Sequence, residues 1–269
     1  MSLLDETFAK LRSEGRKALL PFITAGYPDL DFTGDLLKDF GKAGVAACEV
    51  GVPYSDPVAD GPVIQASYQR ALESGFRLQQ LFEMRKRIAA EVTIPTLTMA
   101  SYAIIYRVGL ERYIEQSQEA GFCGAIVPDL LVEEAAEFSK LCADRDFNLI
   151  QLVTPTTPRE RQVRIAESSS GFLYFVSVTG ITGERNELPP QLIDNVGWLR
   201  EQTDVPVCIG FGISQPEHVA KLGPVADGLI VGSAIVRRIA QANAENRGEV
   251  RGEIDRYVRE MLAAINAVK

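Results

Sequence analysis

Eight short apolar runs, each followed by a longer amphipathic stretch, constrain this chain more than any other feature. They are LLPFIT (residues 19–24), ACEVGV (47–52), TLTMA (96–100), GAIVP (124–128), NLIQLV (148–153), FLYFVSV (172–178), PVCIGF (206–211) and DGLIVG (227–232). The intervening stretches, among them DFTGDLLKDFGKAG, LERYIEQSQEAG and VEEAAEFSKLCADRD, have helical periodicity, and several end on Gly, as a helix C-terminus prefers. Alternation of this kind is the pattern of repeated βα units around a parallel sheet. Eight units in 269 residues predict an α/β fold, a (β/α)8 TIM barrel with an extra N-terminal helix, as a single domain over residues 1–269. An open doubly wound sheet is the structural alternative.

Composition excludes several function classes. An apolar content of 46% in 269 residues suffices for one large core. The net charge of -8 argues against a general binder of nucleic-acid backbones, which concentrates Lys and Arg on one face. The first residues carry Asp5 and Glu6 instead of a basic start and a long apolar run, so no signal peptide is expected. No apolar run approaches the ~18 residues of a membrane span. Cys48, Cys123, Cys142 and Cys208 lie in separate apolar segments without C-x-x-C spacing, which points to reduced thiols and a cytoplasmic protein. His218 is the only histidine, placed in the first turn of a helix where a packing or surface role is expected. A single histidine leaves little for a metal site or a Ser-His-Asp triad, so acid–base chemistry falls to carboxylates.

In a barrel the site lies at the C-terminal ends of the strands. Along ACEVGV, alternation puts Ala47, Glu49 and Gly51 on one face and Cys48, Val50 and Val52 on the other. The branched apolar face suits the surrounding helices, so Glu49 points inward among small residues. A structural ion pair is the competing role for Glu49, although the strand runs contain no Lys or Arg to serve it. Farther along, GFGIS (210–214) and VGSAIV (231–236) set glycines where the last two strands pass into helices. Glycine permits close backbone approach and helix N-termini present unpaired N–H groups, so these two ends predict a phosphate site. GFGISQ lacks the third glycine of a dinucleotide fingerprint.

The sequence resembles the tryptophan synthase alpha subunit family almost from end to end. The resemblance rests on PFITAGYPD (21–29), EVGVPYSDPVADGPVIQ (49–65), LVTPTTPRER (152–161), GITGER (180–185), GFGIS and DGLIVGSAIV (227–236). It implies cleavage of indole-3-glycerol phosphate to indole and glyceraldehyde 3-phosphate, with no cofactor in this chain. It also implies a partner beta subunit that carries pyridoxal phosphate, in an alpha2-beta2 assembly. Carried over by motif, Glu49 is the general acid–base residue and Asp60 the second catalytic acid, beside the indole N–H. Capping of the helix that begins near Gly61 and Pro62 is the alternative role for Asp60. Asp56, in the same loop, is expected to contact a lid. Phe22 and Tyr174 are implied to line the substrate pocket; Gly183, Gly210, Phe211, Gly212, Gly232 and Ser233 are implied to surround the phosphate. TGITGERNELPP (179–190) has the length and hinge glycines of a lid, from which Thr182 is implied to reach the second-strand loop.

The pattern departs from the family at two places. Relatives commonly carry Tyr-Asn-Pro after the third strand, in a loop facing the beta subunit, where this chain has Ala103 and Ile104 at the Asn and Pro places. Leu131 stands where many relatives have Pro. Ala103 and Ile104 are accordingly expected to form an exposed, less polar docking loop.

Overall fold

The computed structural model describes residues 1–58, 60–176, 191–210 and 212–268. Its strands are β1 (Ala18–Thr24), β2 (Cys48–Gly51), β3 (Thr96–Met99), β4 (Gly124–Ile126), β5 (Asn148–Ile150), β6 (Leu152–Val153), β7 (Leu173–Val176), β8 (Val207–Gly210) and β9 (Gly228–Val231). Each of the eight expected runs contains one, except residues 148–153, which divide at Gln151 into β5 and β6. All registered pairs are parallel, in the order β5-β4-β3-β2-β1-β9-β8-β7-β6. The two ends of that order are consecutive pieces of one run, so the sheet closes on itself through the chain. At the join, the Gln151 carbonyl accepts from the Tyr174 N–H at 3.1 Å, and Ser170 Oγ accepts from the Leu149 N–H at 3.0 Å. No reversal of strand order occurs, which excludes the doubly wound alternative.

Local chemistry sets the helices around the ring. Asp29 caps the helix Leu30–Ala43 by accepting from the Phe32 N–H at 2.9 Å, and Gly44 ends it in the left-handed region at φ +85°. Gly121, at φ +92°, ends the helix Leu110–Ala120 in the same way. The third expected helix is shorter than its sequence pattern: only Ala136–Ala143 is helical, and the left-handed residue after it is Asp146. His218 lies buried in the helix Pro216–Leu222, where its Nδ1 accepts from the Ser214 N–H at 3.3 Å, a packing role.

Both ends of the chain brace the barrel. The helix Leu3–Ser13 is fixed by reciprocal hydrogen bonds between Ser2 and Asp5, and its Leu4, Phe8 and Leu11 are buried. Leu4 lies over Gly171, and Phe8 stacks at 5.8 Å on Phe172, just before β7. Asn148, the first residue of β5, donates to Asp5 at 3.1 Å and accepts from Ser2. The helix therefore plugs the N-terminal end of the barrel beside its closing join. At the other end, the helix Arg247–Asn266 ties the last unit to the first through Arg247 to Asp29 and Arg251 to Asp35 and Asp39.

The expected docking loop at Ala103 and Ile104 is instead the first turn of a helix, Tyr102–Val108, capped by Ser101. Ala103 is exposed there, but Ile104 is half-buried and packs against the core. Among the described residues no helix is long and apolar enough to cross a membrane.

If the N-terminal plug supports the barrel, Leu4→Ala leaves a cavity that costs about 2–5 kcal/mol. The expected result is a lower denaturant midpoint with an unchanged slope; a loss under ~0.5 kcal/mol would mean the helix docks without stabilising the ring.

Candidate active site

Register decides which side chains enter the barrel. Phe22 of β1 pairs with Glu49 of β2, which pairs with Leu97 of β3, so all three share one face. On the far side of the ring, Tyr174 of β7 pairs with Cys208 of β8. Glu49 lies close enough to both Tyr174 and Cys208 for its charge to oppose their ionisation, as side chains sharing the inner face of a closed ring would. Two glycines make the space. A Cβ at Gly51 would stand 2.5 Å from both the Phe22 ring and the Tyr68 hydroxyl; one at Gly210 would stand 2.2 Å from the Tyr174 hydroxyl. Gly210 thus accommodates the Tyr174 ring.

Glu49 is fully buried, and neither carboxyl oxygen has a hydrogen-bond partner among the described residues. Burial pushes its pKa well above the usual carboxylate range, so the acid form dominates. The ion-pair alternative finds no support: the buried guanidinium of Arg85 lies near Cys48, bonding Thr96 and the Gly121 carbonyl. Asp60 sits in the loop after β2 and is half-buried, which pushes its pKa up to about 6. It does not cap the next helix: Pro62–Glu73 begins at Gly61 with no side-chain cap and Pro in its first turn. Gln65 anchors this loop by donating to the Asp60 carbonyl at 2.8 Å and the Pro57 carbonyl at 3.2 Å. Asp56 is exposed and accepts from Ser55.

Of the other expected residues, Gly232 immediately precedes the helix Ser233–Ile239, and a Cβ there would contact Phe22 at 3.5 Å. Gly212 adopts φ +76° with open space where a Cβ would point. Gly210, Gly212, Gly232 and Ser233 therefore end β8 or follow β8 and β9, whereas Phe22 and Tyr174 lie within β1 and β7. Thr182, Gly183, Phe211 and the lid at residues 179–190 lie outside the described residues. Among the described residues no group of His, Cys, Asp and Glu is arranged to hold a metal.

Comparison with known proteins decides the family. The sequence model described as tryptophan synthase alpha chain matches residues 8–266. The chain belongs to the tryptophan synthase alpha chain family. It is 62% identical over 245 residues to the alpha chain of Rhodopirellula baltica, covering 90% of this chain and 88% of that protein. It is 43% identical to the alpha chain of Chloroflexus aggregans over the full length of both. Among solved structures, the alpha subunit of Legionella pneumophila superposes with a TM-score of 0.90 at 31% identity over all of both chains. A tryptophan synthase complex from Pyrococcus furiosus gives 0.84 at 33% identity, over 92% of this chain and 99% of that one. As a tryptophan synthase alpha chain the protein is a carbon–carbon lyase of tryptophan biosynthesis, cleaving indole-3-glycerol phosphate.

Two aromatic residues of this alpha chain escaped the sequence. Tyr68, on the helix Pro62–Glu73, is buried with its hydroxyl against Gly51, and Tyr54 packs on it with ring centroids 5.7 Å apart. Tyr68 and Tyr174 both feel the charges of Glu49 and Asp60, so the phenols border both acids. Helical spacing from Ile64 marks Tyr68 only as a core position; the pairing with Gly51 was the available signal, and it needed the fold to be visible.

The raised pKa of Asp60 makes stability depend on pH. Below about pH 4 the carboxyl is protonated folded and unfolded alike, so it contributes no difference. Between about pH 4 and about pH 6 the unfolded chain releases this proton while the folded one keeps it, so stability falls as pH rises. Asp60→Asn removes that penalty, and its melting temperature relative to the parent should be higher at pH 8 than at pH 4, by the equivalent of about 1–3 kcal/mol. An identical offset at both pH values would show that burial does not oppose ionisation there.

Proposed function

We propose that Glu49 and Asp60 together carry the retro-aldol cleavage of indole-3-glycerol phosphate to indole and glyceraldehyde 3-phosphate. The observation that supports this most is a carboxyl group on the inner face of the barrel, buried and without a partner among the described residues. Burial keeps Glu49 in the acid form, ready to deliver its proton to indole C3. That transfer leaves positive charge on the ring nitrogen, which an ionised Asp60 beside the N–H stabilises. The Glu49 carboxylate then removes the proton of the glycerol hydroxyl next to the ring; the carbon–carbon bond breaks, its electron pair returns to the indole, and the aldehyde leaves. Glu49 ends protonated, as it began.

The remaining roles are proposed from the family resemblance, with position in the barrel as support where the residue is described. Phe22 and Tyr174 flank the indole and glycerol, with Gly210 giving Tyr174 its room. Gly212, Gly232 and Ser233, at the ends of β8 and β9, are assigned the phosphate; Gly183, Phe211 and Thr182, outside the described residues, take their phosphate and lid roles from the family resemblance alone. The whole chain, residues 1–269, works as one barrel domain and needs no cofactor of its own.

We further propose an alpha2-beta2 assembly in the cytoplasm, in which the beta subunit holds pyridoxal phosphate and receives the indole. Its support is the likeness to the Pyrococcus furiosus complex and an apolar rim on the C-terminal face. Val58, Tyr106 and Leu131 are 85%, 71% and 53% exposed, and they come after the adjacent strands β2, β3 and β4. Large apolar side chains grouped on one rim mark an interface.

Glu49→Gln keeps the size of the side chain but cannot shuttle a proton, so turnover measured by indole release should fall at least ~100-fold with substrate still bound. Near-normal turnover would remove Glu49 from the chemistry. Titration of the chain with its cognate beta subunit by calorimetry should show association that Tyr106→Asp weakens by ~10-fold or more, while basal indole release is unchanged. Absence of association at micromolar concentrations would reject the assembly and leave a stand-alone lyase.

A further inference from the structure

We propose that Tyr68 is a positioning residue for Glu49: its phenol, set over Gly51 on the strand that carries Glu49, donates a hydrogen bond to the Glu49 carboxylate in the interval between the two proton transfers. The proposal rests on the acid–base role given to Glu49 above. A carboxyl group that has passed its proton to indole is an anion in an interior where neither oxygen has a partner among the described residues. An unsolvated buried anion is costly, so the reaction needs a donor that engages only at that stage.

Among the described residues, the surroundings of Glu49 contain few groups able to do this. Cys48 on its own strand and Cys208 on β8 are buried thiols, which are weak donors. Tyr174, on β7, is also reached by the Glu49 charge across the interior, but its hydroxyl is placed at Gly210 of β8 and not on the strand that carries Glu49. Phe22 and Leu97, the register partners of Glu49 on β1 and β3, have no polar atom to offer. Tyr68 has its hydroxyl where a Gly51 Cβ would be, one alternation above Glu49 on the same face. The ring is held by Tyr54, with centroids 5.7 Å apart. Asp60 acts on Tyr68 more strongly than Glu49 does, so the phenol has two acids to serve and the pH profile decides between them. Burial keeps Tyr68 protonated and therefore a donor throughout the working pH range.

The role separates from simple packing by its effect on proton transfer. Glu49 must start protonated, so turnover falls on the alkaline side as Glu49 ionises in the complex, and on the acid side as Asp60 takes up its proton near pH 6. A donor to the Glu49 carboxylate favours the ionised form; removing it raises the Glu49 pKa. Tyr68→Phe keeps the ring and loses only the hydroxyl. In the full chain, kcat for indole release should fall by about 10- to 100-fold with KM changed less than about 2-fold, as expected for a hydrogen bond made to a charged intermediate. The alkaline limb of the kcat profile should move up by about one pH unit while the acid limb stays.

Unchanged kcat with an unmoved profile would overturn the proposal. So would a raised KM with both limbs fixed, which marks a substrate contact, or a shift of the acid limb alone, which assigns the phenol to Asp60. If Tyr68→Phe does not fold, 3-fluorotyrosine at position 68 provides a stronger donor of nearly the same shape. It should move the alkaline limb down, and an unmoved limb would overturn the proposal. Absence of indole release by the unsubstituted chain would instead reject the acid–base role of Glu49 itself.

Discussion

Closure of the parallel sheet is the constraint on which the rest of this protein depends. A parallel strand bonds its neighbours on both sides, and an open edge would leave N–H and C=O groups without partners. Here the ring closes inside one apolar run. Residues 148–150 take β4 as their neighbour, residues 152 and 153 take β7, and Gln151 between them still accepts from Tyr174. The N-terminal helix is placed where this join needs cover, with Asn148 bonded to both Ser2 and Asp5. On the opposite side of the ring, Arg247 and Arg251 hold the last helix to the first βα unit. Such half-exposed ion pairs are each worth little, about 0–1 kcal/mol, so they orient the helix more than they stabilise it.

A closed ring of this size has a narrow interior, and inward side chains must share it. Large aromatics are accommodated only where the neighbouring strand supplies glycine: Phe22 and Tyr68 over Gly51, Tyr174 over Gly210. The same crowding excludes water from Glu49 and holds it in the acid form. Asp60 rides on a loop at the mouth, is only half-buried, and is pushed to about 6, within reach of ionisation at neutral pH. Two carboxyl groups of nearly identical intrinsic strength are thereby separated into an acid and an anion by depth alone, the arrangement that divides acid and base roles in many enzymes.

Strand positions were legible in the sequence because apolar runs bounded by glycine and proline report burial directly, and the inward direction of Glu49 came from two-residue alternation. Helix ends at Gly44 and Gly121 were legible because only glycine enters the left-handed region at little cost. The division of residues 148–153 was not, since nothing in an apolar run states which neighbour each half will choose. The helix at 136–143 began later than its periodicity allowed, and Ile104 turned inward from a place expected to be exposed. Both outcomes depend on neighbours distant in the chain.

By itself the sequence determined the class of fold, the number of βα units and the family, and it singled out the two carboxylates proposed for the chemistry, because each depends on local pattern or on motifs whose residue types are unusual together. Only the tertiary structure decided how far each carboxylate is removed from water, that Asp60 leaves the helix after it uncapped, and that Tyr68 meets Gly51 beside Glu49. The reason is physical: desolvation and close approach are properties of the space between elements, and that space exists only after the ring has closed.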